Sequence, residues 1–478
     1  MSKKHYIALA LILLGGLLVR LYKIGSPIAD WHSWRQADTA SVSRTYVEKG
    51  INLLYPQYQD VSSIQTGIQN PNGYRFVEFP VYNAAHAALV KLMPVFSLEV
   101  WGRLLSIFCS LASLVVIFLL GRRFISPLGG LLAAFFFAFI PYNIYFSRTI
   151  LPEPTATMFG LLAILFFVGF IDSGKNSKLY LSGLFFSLAL LVKPFTVFYA
   201  FPMVYLALQK YSLKDLVKNS KLAISILIFA DIVLVPLLAW RAWMSNYPVG
   251  IPFFSWAFNG DGIRFRPAFW RWLFAERLGR LILGIWGVLP FSLGVLKVVK
   301  KNLFIQFFLL GMLAYVSVIA TANVRHDYYQ IFIIPAVSLA LASGATYLIK
   351  TKEFSRLLSI TVLGASILLM LGMGAYQVKE YYKINHPEII EAGKAVDEIA
   401  PKDALVVAPY NGDTAFLYQT GRWGWPAIDT SIENIIERGG DYYVSVNQGD
   451  ADTQAIIKKY KTIVKTDKYL IVDLHKKI

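Results

Sequence analysis

The sequence predicts a mainly α-helical, polytopic membrane protein with about eleven transmembrane helices, a long first external loop and a small C-terminal α/β domain. The first observation is composition: 56% of the 478 residues are hydrophobic, only 16% are charged, and the mean hydropathy is +0.52. Soluble domains of this size are less apolar. The second is a series of apolar windows along the chain, and the third is a change of composition after His386.

Eleven apolar windows are long enough, or nearly long enough, to cross a bilayer as helices. The first is followed by Arg20 and by no small-residue cleavage site, so we expect a retained span rather than a signal peptide. Two short windows meet at Lys193 and Pro194, which predicts a kinked or partly re-entrant pair. A further window, 79–94, is more polar and predicts a juxtamembrane helix. The eleven windows lie near 5–22, 97–121, 128–147, 151–171, 178–192, 194–209, 221–243, 279–299, 303–321, 328–349 and 356–377.

Basic residues in the short loops predict the orientation of these helices. Six short segments on one side contain 16 Lys and Arg residues, and the loops on that side have three acidic residues, Asp172, Asp215 and Glu353. By the positive-inside rule this side is cytoplasmic. The N-terminus is then internal, while the loop 23–96, the loop 244–278 and everything after Tyr376 are external. The basic segments are Lys3–Lys4, Arg122–Arg123, Lys175–Lys178, Lys210–Lys221, Lys297–Lys301 and Lys350–Arg356.

The change near His386 predicts a domain boundary. Residues 1–385, the predicted transmembrane domain, carry 35 basic and 15 acidic residues, whereas residues 386–478 carry 11 and 14, a net charge of −3. We expect this tail to be a small external α/β domain. Its predicted elements are a helix at Pro387–Ala400 and strands at Ala404–Ala408, Tyr442–Val446 and Tyr469–Leu474, with helical stretches between them.

The basic surplus of the membrane part suits cytoplasmic loops and an anionic lipid substrate, so nucleic acid is set aside as a partner and membrane lipids are expected. The composition favours a multi-pass protein of the cell (plasma) membrane. The single Cys109 lies in an apolar run, so the chain has no disulfide framework.

Ionisable side chains are concentrated in the segment Asp30-Trp31-His32-Ser33-Trp34-Arg35-Gln36-Ala37-Asp38-Thr39, just after the first predicted span. Charged groups so close to hydrocarbon are costly and usually serve a function. Asp38 is the first candidate for a general base, and Asp30 is the second. His32 and Arg35 are candidate substrate-binding groups.

A helix is predicted from Arg35 to Lys49, with Gly50 in the position that commonly ends a helix. This helix offers an alternative interpretation of the two acids. Asp38 would then only favour the helix dipole as a first-turn acid, and Asp30 would be a solvated loop acid. The residues alone leave both interpretations open.

A second group of charged residues is predicted at the external joints between spans. Glu153 lies between two prolines and close to Arg148, where it either caps a helix or orients a nucleophilic hydroxyl. Lys193 lies at another external turn, and Arg325 and His326 open the tenth span. Several cations on one face suit a departing phosphate. The alternative is that each one caps a helix or snorkels.

Other chemistries have less support in the sequence. There is no HExxH motif and no Cys/His pair with metal-ligand spacing. No glycine-rich phosphate loop follows a strand, so a soluble nucleotide donor is unsupported. We therefore assign no cofactor and leave a divalent cation open.

In motif and layout the chain resembles the GT-C superfamily of integral-membrane glycosyltransferases. Within it, the chain looks like the bacterial relatives of protein O-mannosyltransferases and aminoarabinose transferases. The resemblance rests on His32-x-Trp34-Arg35-Gln36-x-Asp38-Thr39, on Glu78-Phe79-Pro80 and on Arg148 to Pro154. The layout of spans and loops covers most of residues 1–380. Glu78 is accordingly a candidate substrate contact, and the alternative is a structural acid at a helix start.

Two departures from the family pattern affect the site residues. Better-known members have an Asp-Glu pair where this chain has Arg35-Gln36, which leaves the choice between Asp38 and Asp30 open. Relatives also have a Lys before a Pro where this chain has Phe79. The resemblance then implies that other cations bind the donor phosphate.

The resemblance implies a hexosyl or pentosyl transferase that uses a polyprenyl-phosphate-sugar donor and inverts the anomeric centre on the external face. The acceptor would be a lipid, a glycan or a protein, and we expect the tail to contact it. The alternative is a transporter or flippase of lipid-linked sugars. A transporter should place ionisable residues mid-span and show inverted repeats, whereas most charges here lie at span ends, apart from Arg103, Asp231 and Arg241.

The predicted orientation can be tested with topology reporters. A reporter fused after Ile478 should respond as external, and one inserted near Lys218 should respond as cytoplasmic, because the basic loops fix the cytoplasmic side. Alkaline phosphatase and green fluorescent protein fusions at both positions measure this. The opposite pattern would reverse the side assigned to every candidate residue.

Overall fold

The computed structural model describes residues 3–212, 215, 218–297 and 302–478. Lys214, Lys300 and Lys301, which contribute to two of the basic loops, lie outside the described residues. The chain forms two compact units. The helical unit comprises the chain up to Ile24 together with Leu104–Arg241 and Phe254–Glu380, and the loop–tail unit comprises Gly25–Arg103, Ala242–Phe253 and Tyr381–Ile478.

The helical unit contains most of the apolar helices, which are joined by short turns, 3₁₀ turns and one π-helix among the described residues. The 3₁₀ turns lie at Pro194–Tyr199, Ile263–Phe265 and Asp327–Ile333 and the π-helix at Trp272–Ile282. The α-helices that lie wholly or mostly in this unit are Lys3–Arg20, Leu98–Phe124, Pro127–Phe139, Pro141–Phe146, Glu153–Ser173, Asn176–Val192, Ala200–Lys210, Ser220–Met244, Trp256–Asn259, Pro267–Arg271, Val288–Leu296, Phe304–Val318, Ala320–Arg325, Ile334–Lys350 and Arg356–Val378.

Within the described ranges, five helices are long and apolar enough to cross a membrane: Leu98–Phe124, Glu153–Ser173, Ser220–Met244, Asp327–Lys350 and Arg356–Tyr382. Three more apolar helices are shorter. The chain is therefore an integral membrane protein, and the count of eleven spans stays a prediction. Several predicted windows are broken into two helical segments, which shortens the individual helices.

Prolines account for two of these breaks. Pro141 has no N–H, so the carbonyl of Phe137 lacks its helical donor. That carbonyl instead accepts a hydrogen bond from the side chain of Asn143 at 2.6 Å. At Lys193 the backbone is extended and Pro194 opens a 3₁₀ turn, which confirms the predicted kink.

The fully buried Arg20 fastens the end of the first helix to this broken region. Its guanidinium donates to the hydroxyl of Ser147 at 2.7 Å and to the carbonyl of Ala138 at 2.9 Å. A buried arginine needs such partners, because a charge without them would be costly in an apolar interior. The helix Lys3–Arg20 is thus an integral part of the unit.

The loop–tail unit combines helices with a five-stranded mixed sheet. Its helices are Ser33–Lys49, Val81–Leu92, Glu388–Ile399, Thr414–Gln419, Ile432–Glu437 and Ala451–Ile457, and short 3₁₀ turns lie at Pro248–Gly250 and Lys379–Tyr382. The strands are β1 Leu405–Val407, β2 Trp423–Trp425, β3 Gly440–Ser445, β4 Tyr460–Lys465 and β5 Leu470–Lys477. Their order is β2-β1-β3-β5-β4.

Strands β2, β1 and β3 are parallel, and β5 is antiparallel to both β3 and β4. The core beneath the sheet includes Val407, Trp425, Tyr443 and Val472. The edge strand β2 is covered by the first loop, since the N–H of Val61 donates to the carbonyl of Gly424 at 2.9 Å. The sheet of the tail and the first loop therefore share backbone hydrogen bonds.

Gly424 is required at this edge. Its φ is +153°, and a Cβ there would lie 1.8 Å from the carbonyl oxygen of Val406. Any side chain would push β2 away from β1. The same glycine provides both the N–H and the carbonyl that pair with the first loop.

The predicted helix and three strands of the tail are confirmed, with ends shifted by a few residues. Two strands were missed and assigned to helical stretches. β2 is only three residues long and has a glycine at its centre. β4, Tyr460–Lys465, is an edge strand with lysines among its residues, and such strands have a weak hydrophobic pattern. The boundary at 385/386 stays a prediction; the sheet lies in one compact unit with the first loop.

Candidate active site

The motif segment begins with a tight turn before the helix Ser33–Lys49. His32 has a φ of +56°, which is uncommon for a residue with a side chain. Its ring contacts Trp31, whose indole stacks on Tyr381, in the turn Lys379–Tyr382, at a centroid distance of 5.2 Å. Strained backbone of this kind is kept where surrounding contacts hold it, often at functional sites.

Asp30 lies at the start of this turn and is buried, with 6% of its surface exposed. Its carboxylate accepts a hydrogen bond from the side-chain amide of Gln36 at 2.7 Å. Gln36 also donates to the carbonyl of Trp31, so one buried amide connects the turn to the helix. The alternative interpretation of Asp30, as a solvated loop acid, is wrong, because the side chain is buried and hydrogen-bonded.

Asp38 lies in the first half of the same helix and is 1% exposed. One carboxylate oxygen contacts the guanidinium of Arg75 at 2.6 Å, and the other accepts a hydrogen bond from the hydroxyl of Thr414, also at 2.6 Å. Asp38 therefore joins three chain segments: the motif helix, the later part of the first loop and the tail. Asp38 therefore does more than favour the helix dipole: it connects these segments through its two carboxylate oxygens.

Arg35 and Glu78 form an ion pair next to Asp38. Both line a cavity of about 10 Å³ together with Asp38, Arg75 and Asn83. A volume of that size suits roughly one water molecule. The carboxylate of Asp38 thus faces a water-sized space in the loop–tail unit.

The motif helix is buried over most of its length, although its residues are polar. Ser41, Ser43 and Thr45 are all nearly inaccessible to solvent, and Ser43 and Thr45 donate to carbonyls one turn earlier. The helix Val81–Leu92 and the tail helix Thr414–Gln419 cover it. The polar pattern is typical of an exposed helix, so its burial reflects packing that local sequence does not reveal.

The tail places a further acid near the motif. Asp413 caps the helix Thr414–Gln419 by accepting a hydrogen bond from the N–H of Ala415 at 2.7 Å. Burial, and to a lesser extent the Asp38 carboxylate, raise its pKa to about 6, while the nearby His32 opposes this shift. Burial also raises the pKa of Asp60, on the first loop, to about 6.

In the helical unit, Glu153 and Lys193 form a buried ion pair. Their charged atoms are 2.8 Å apart, and the side chains are 0% and 6% exposed. The ammonium of Lys193 also lies 5.7 Å from the ring centre of Tyr329. Two residues predicted at separate external joints are thus brought together, and the partner of Glu153 is Lys193 rather than its sequence neighbour Arg148.

The remaining predicted cations have different surroundings. Arg148 is fully buried and donates to the carbonyl of Lys23 at 2.9 Å. Arg325 is exposed and lies 3.7 Å from Asp261. His326 packs its ring against Trp256 and Tyr328.

Four residues of these clusters were missed by the sequence analysis. Arg277 lies 3.4 Å from the buried Asp327, and Arg75, Asp413 and Thr414 surround Asp38 as described above. Arg75 is close to Glu78 in the sequence, so its position beside the motif could have suggested it. Asp413 and Thr414 form a recognisable helix start, but nothing local indicates that this start lies against Asp38.

Among the described residues, no group of three or more His, Cys, Asp and Glu side chains is arranged to hold a metal ion. The acids of the motif region contact arginine, amide and hydroxyl donors instead.

Comparisons with known proteins agree with this architecture. A family model described as dolichyl-phosphate-mannose-protein mannosyltransferase matches residues 80–240. The search of curated proteins found no match. Among solved structures, ArnT from Cupriavidus metallidurans bound to undecaprenyl phosphate has a TM-score of 0.64 at 11% identity, covering 98% of each chain.

The oligosaccharyltransferase of Archaeoglobus fulgidus, tethered to an acceptor peptide that contains the NVT sequon, has a TM-score of 0.62 at 9% identity. It covers 97% of this chain and 72% of that protein. At such low identity the likeness establishes the fold. The chain has the fold of the GT-C membrane glycosyltransferases, and the resemblance predicted from its sequence is confirmed.

The raised pKa of Asp413 predicts a pH-dependent stability. A raised carboxyl pKa means that the folded state holds the proton more tightly than the unfolded state. The contribution of Asp413 to stability is therefore full below about pH 4 and is lost as the pH rises through about 6. Asp413→Asn keeps a capping oxygen and removes the titration. We expect it to raise the free energy of unfolding at pH 7 by on the order of 2 kcal/mol and to flatten the pH profile.

Thermal unfolding of the solubilised protein between pH 4 and pH 7 measures this effect. Asp450→Asn is the matched control, because Asp450 caps another tail helix in the same way. An Asp413→Asn variant whose melting temperature changes with pH as the wild type does would contradict the prediction.

The buried Glu153–Lys193 pair predicts that substitutions of these two residues have strongly non-additive effects on stability. Lys193→Met leaves a buried carboxylate without its cation and should destabilise the protein by about 3–5 kcal/mol. Glu153→Gln combined with Lys193→Met removes both charges and should recover most of that loss. A double-mutant cycle on the melting temperature measures the coupling, and strictly additive effects would argue against the pair.

Proposed function

We propose that this protein is an inverting glycosyltransferase that transfers a sugar from a polyprenyl-phosphate donor to an acceptor hydroxyl on the external face of the plasma membrane. The observation that carries the proposal is the turn at Asp30–His32, in a chain with the GT-C fold: Asp30 is buried and bonded to Gln36, and Trp31 stacks on Tyr381. The ArnT structure contains undecaprenyl phosphate, which supports a polyprenyl phosphate as the carrier in this chain too.

We assign the general base to Asp30. Its carboxylate accepts a hydrogen bond from a neutral amide, whereas both oxygens of Asp38 are held by Arg75 and Thr414. A base must offer an oxygen to the proton it removes. Asp38 also faces a space for about one water, which is too small for a sugar or an acceptor.

In the proposed reaction, Asp30 takes the proton of the acceptor hydroxyl as that oxygen attacks the anomeric carbon. The bond from this carbon to the phosphate oxygen breaks, and the polyprenyl phosphate leaves. Attack from the opposite side of the sugar inverts the anomeric centre. His32, at the same turn, holds acceptor or phosphate groups in this proposal.

Asp38, Arg75 and Thr414 are positioning residues in this proposal. They fix the motif helix, on which Asp30 depends through its bond to Gln36. Lys193, Arg325 and His326 of the helical unit, which the sequence predicted as phosphate-binding groups, keep that role as part of the proposal. Glu153 orients Lys193 through the buried ion pair.

Replacement of the proposed base tests the mechanism. Asp30→Asn keeps the shape and the acceptor for Gln36 but removes the proton acceptor, so turnover should fall by roughly 100-fold or more. Donor binding should be largely retained. The assay uses reconstituted membranes with a polyprenyl-phosphate sugar and separates kcat from KM. Glu153→Gln is run beside it, and full activity of Asp30→Asn on a confirmed substrate would refute the assignment.

The positioning role of Thr414 is tested by measuring stability and activity together. Thr414→Val removes the hydroxyl donor to Asp38 at nearly constant volume, and should lower both the melting temperature and kcat, while Thr414→Ser keeps the donor and should restore both. Asp38→Asn should lower activity together with stability. If Asp38→Asn removed turnover at unchanged stability while Asp30→Asn stayed active, the base would be Asp38.

A further inference from the structure

The helical unit contains a second polar site, formed by residues that the proposed reaction does not use. It is an open cavity of about 640 Å³ at the end of the helix Ile334–Lys350. Its lining includes Lys297, Lys350 and Lys352, and the carboxylate of Glu353. The formal charge of these four side chains is +2, since three lysines face one acid.

One face of the helix supplies most of the wall. Ser343, Thr346, Tyr347 and Lys350 lie at positions i, i+3, i+4 and i+7, which share one side of a helix. Lys297 is contributed from a different segment, directly after the helix Val288–Leu296. The cavity is therefore built by two parts of the unit rather than by a single flexible loop.

Two buried hydroxyls distinguish this cavity from a simple group of surface lysines. The side chains of Ser343 and Thr346 are 1% and 7% exposed, and their oxygens have no hydrogen-bond partner among the described residues. Buried hydroxyls normally find a partner, often a carbonyl one turn earlier in the helix. Two unpaired hydroxyls in the wall of a cationic cavity indicate a ligand with oxygen acceptors.

Glu353 is the acid in the wall of this cavity, and it contacts Lys297 and Tyr347. Its carboxylate lies 3.6 Å from the ammonium of Lys297 and accepts a hydrogen bond from the hydroxyl of Tyr347 at 2.6 Å. Both ionic side chains are about half exposed, and an ion pair of this kind contributes little stability. An external anion can therefore replace the carboxylate at low cost.

We propose that this cavity binds a phosphate group, with Lys297, Lys350 and Lys352 as counter-ions and Ser343 and Thr346 as hydroxyl donors. A phosphate offers several acceptor oxygens to such donors and is stabilised by several cations. The cavity lies at the end of the predicted span Asp327–Lys350, where a phospholipid presents its headgroup phosphate, and a free phosphate compound shares the same chemistry. This site is independent of the proposed glycosyl transfer.

Native mass spectrometry of the purified full-length protein tests the site with phosphatidylglycerol as the probe and phosphatidylcholine as competitor. Lys350→Gln with Lys352→Gln, and separately Ser343→Ala with Thr346→Val, should each reduce retained phosphatidylglycerol by about tenfold. The control Lys175→Gln with Lys178→Gln removes the same charge from another basic loop and should bind as the wild type does. Glu353→Gln should increase binding, because it removes the competing carboxylate.

A second arm identifies the source of the phosphate. Inorganic phosphate is titrated by calorimetry into the protein held in phosphatidylcholine nanodiscs. Phosphate binding that the same variants weaken identifies a soluble phosphate ligand, and phosphatidylglycerol retention without phosphate binding identifies a lipid headgroup. The proposal is overturned if neither probe binds, if the cavity variants bind as the wild type does, or if the control loses binding equally. Melting curves confirm that each variant is folded.

Discussion

The hydrogen bonds of Asp38 are the contacts on which the candidate active site depends. A buried carboxylate without partners is costly, and partners that are themselves fixed make its position unique. Arg75 supplies the charge and Thr414 supplies the second donor. Because these partners come from the first loop and from the tail, one side chain determines how three segments meet. The turn that carries Asp30 then follows through Gln36, which lies in the same helix.

A related constraint shapes the helical unit. Backbone polar groups in an apolar environment must be satisfied within the protein. Where a proline interrupts a helix, a side chain or a turn has to replace the lost bond, as Asn143 does for the carbonyl of Phe137. The break at Lys193 likewise places an ammonium against Glu153. At Lys193 a helix break and a buried charge therefore occur together.

The sequence predicts the mainly helical membrane fold and the small sheet of the tail, because apolar windows depend on local composition. The predicted helix and strands of the tail are also local features, whereas β2 was missed because three residues around Gly424 carry almost no pattern.

The motif from Asp30 to Thr39 was recognised from residue types alone. Its geometry was not predictable, since the burial of a polar helix and the pairing of Asp38 with Thr414 depend on residues far apart in the chain. Asp30 illustrates this: its environment is set by packing, and the sequence left open whether it was a solvated loop acid or a candidate base.

The distance in sequence between Asp38 and Thr414 is 376 residues. A ribosome therefore completes every span before it reaches the hydroxyl that holds the motif helix. A nascent or prematurely terminated chain can insert its helices and still lack this final contact. The order of synthesis thus delays assembly of the candidate site until the tail has been made, and incomplete molecules in the membrane lack the hydrogen bond from Thr414 that fixes Asp38.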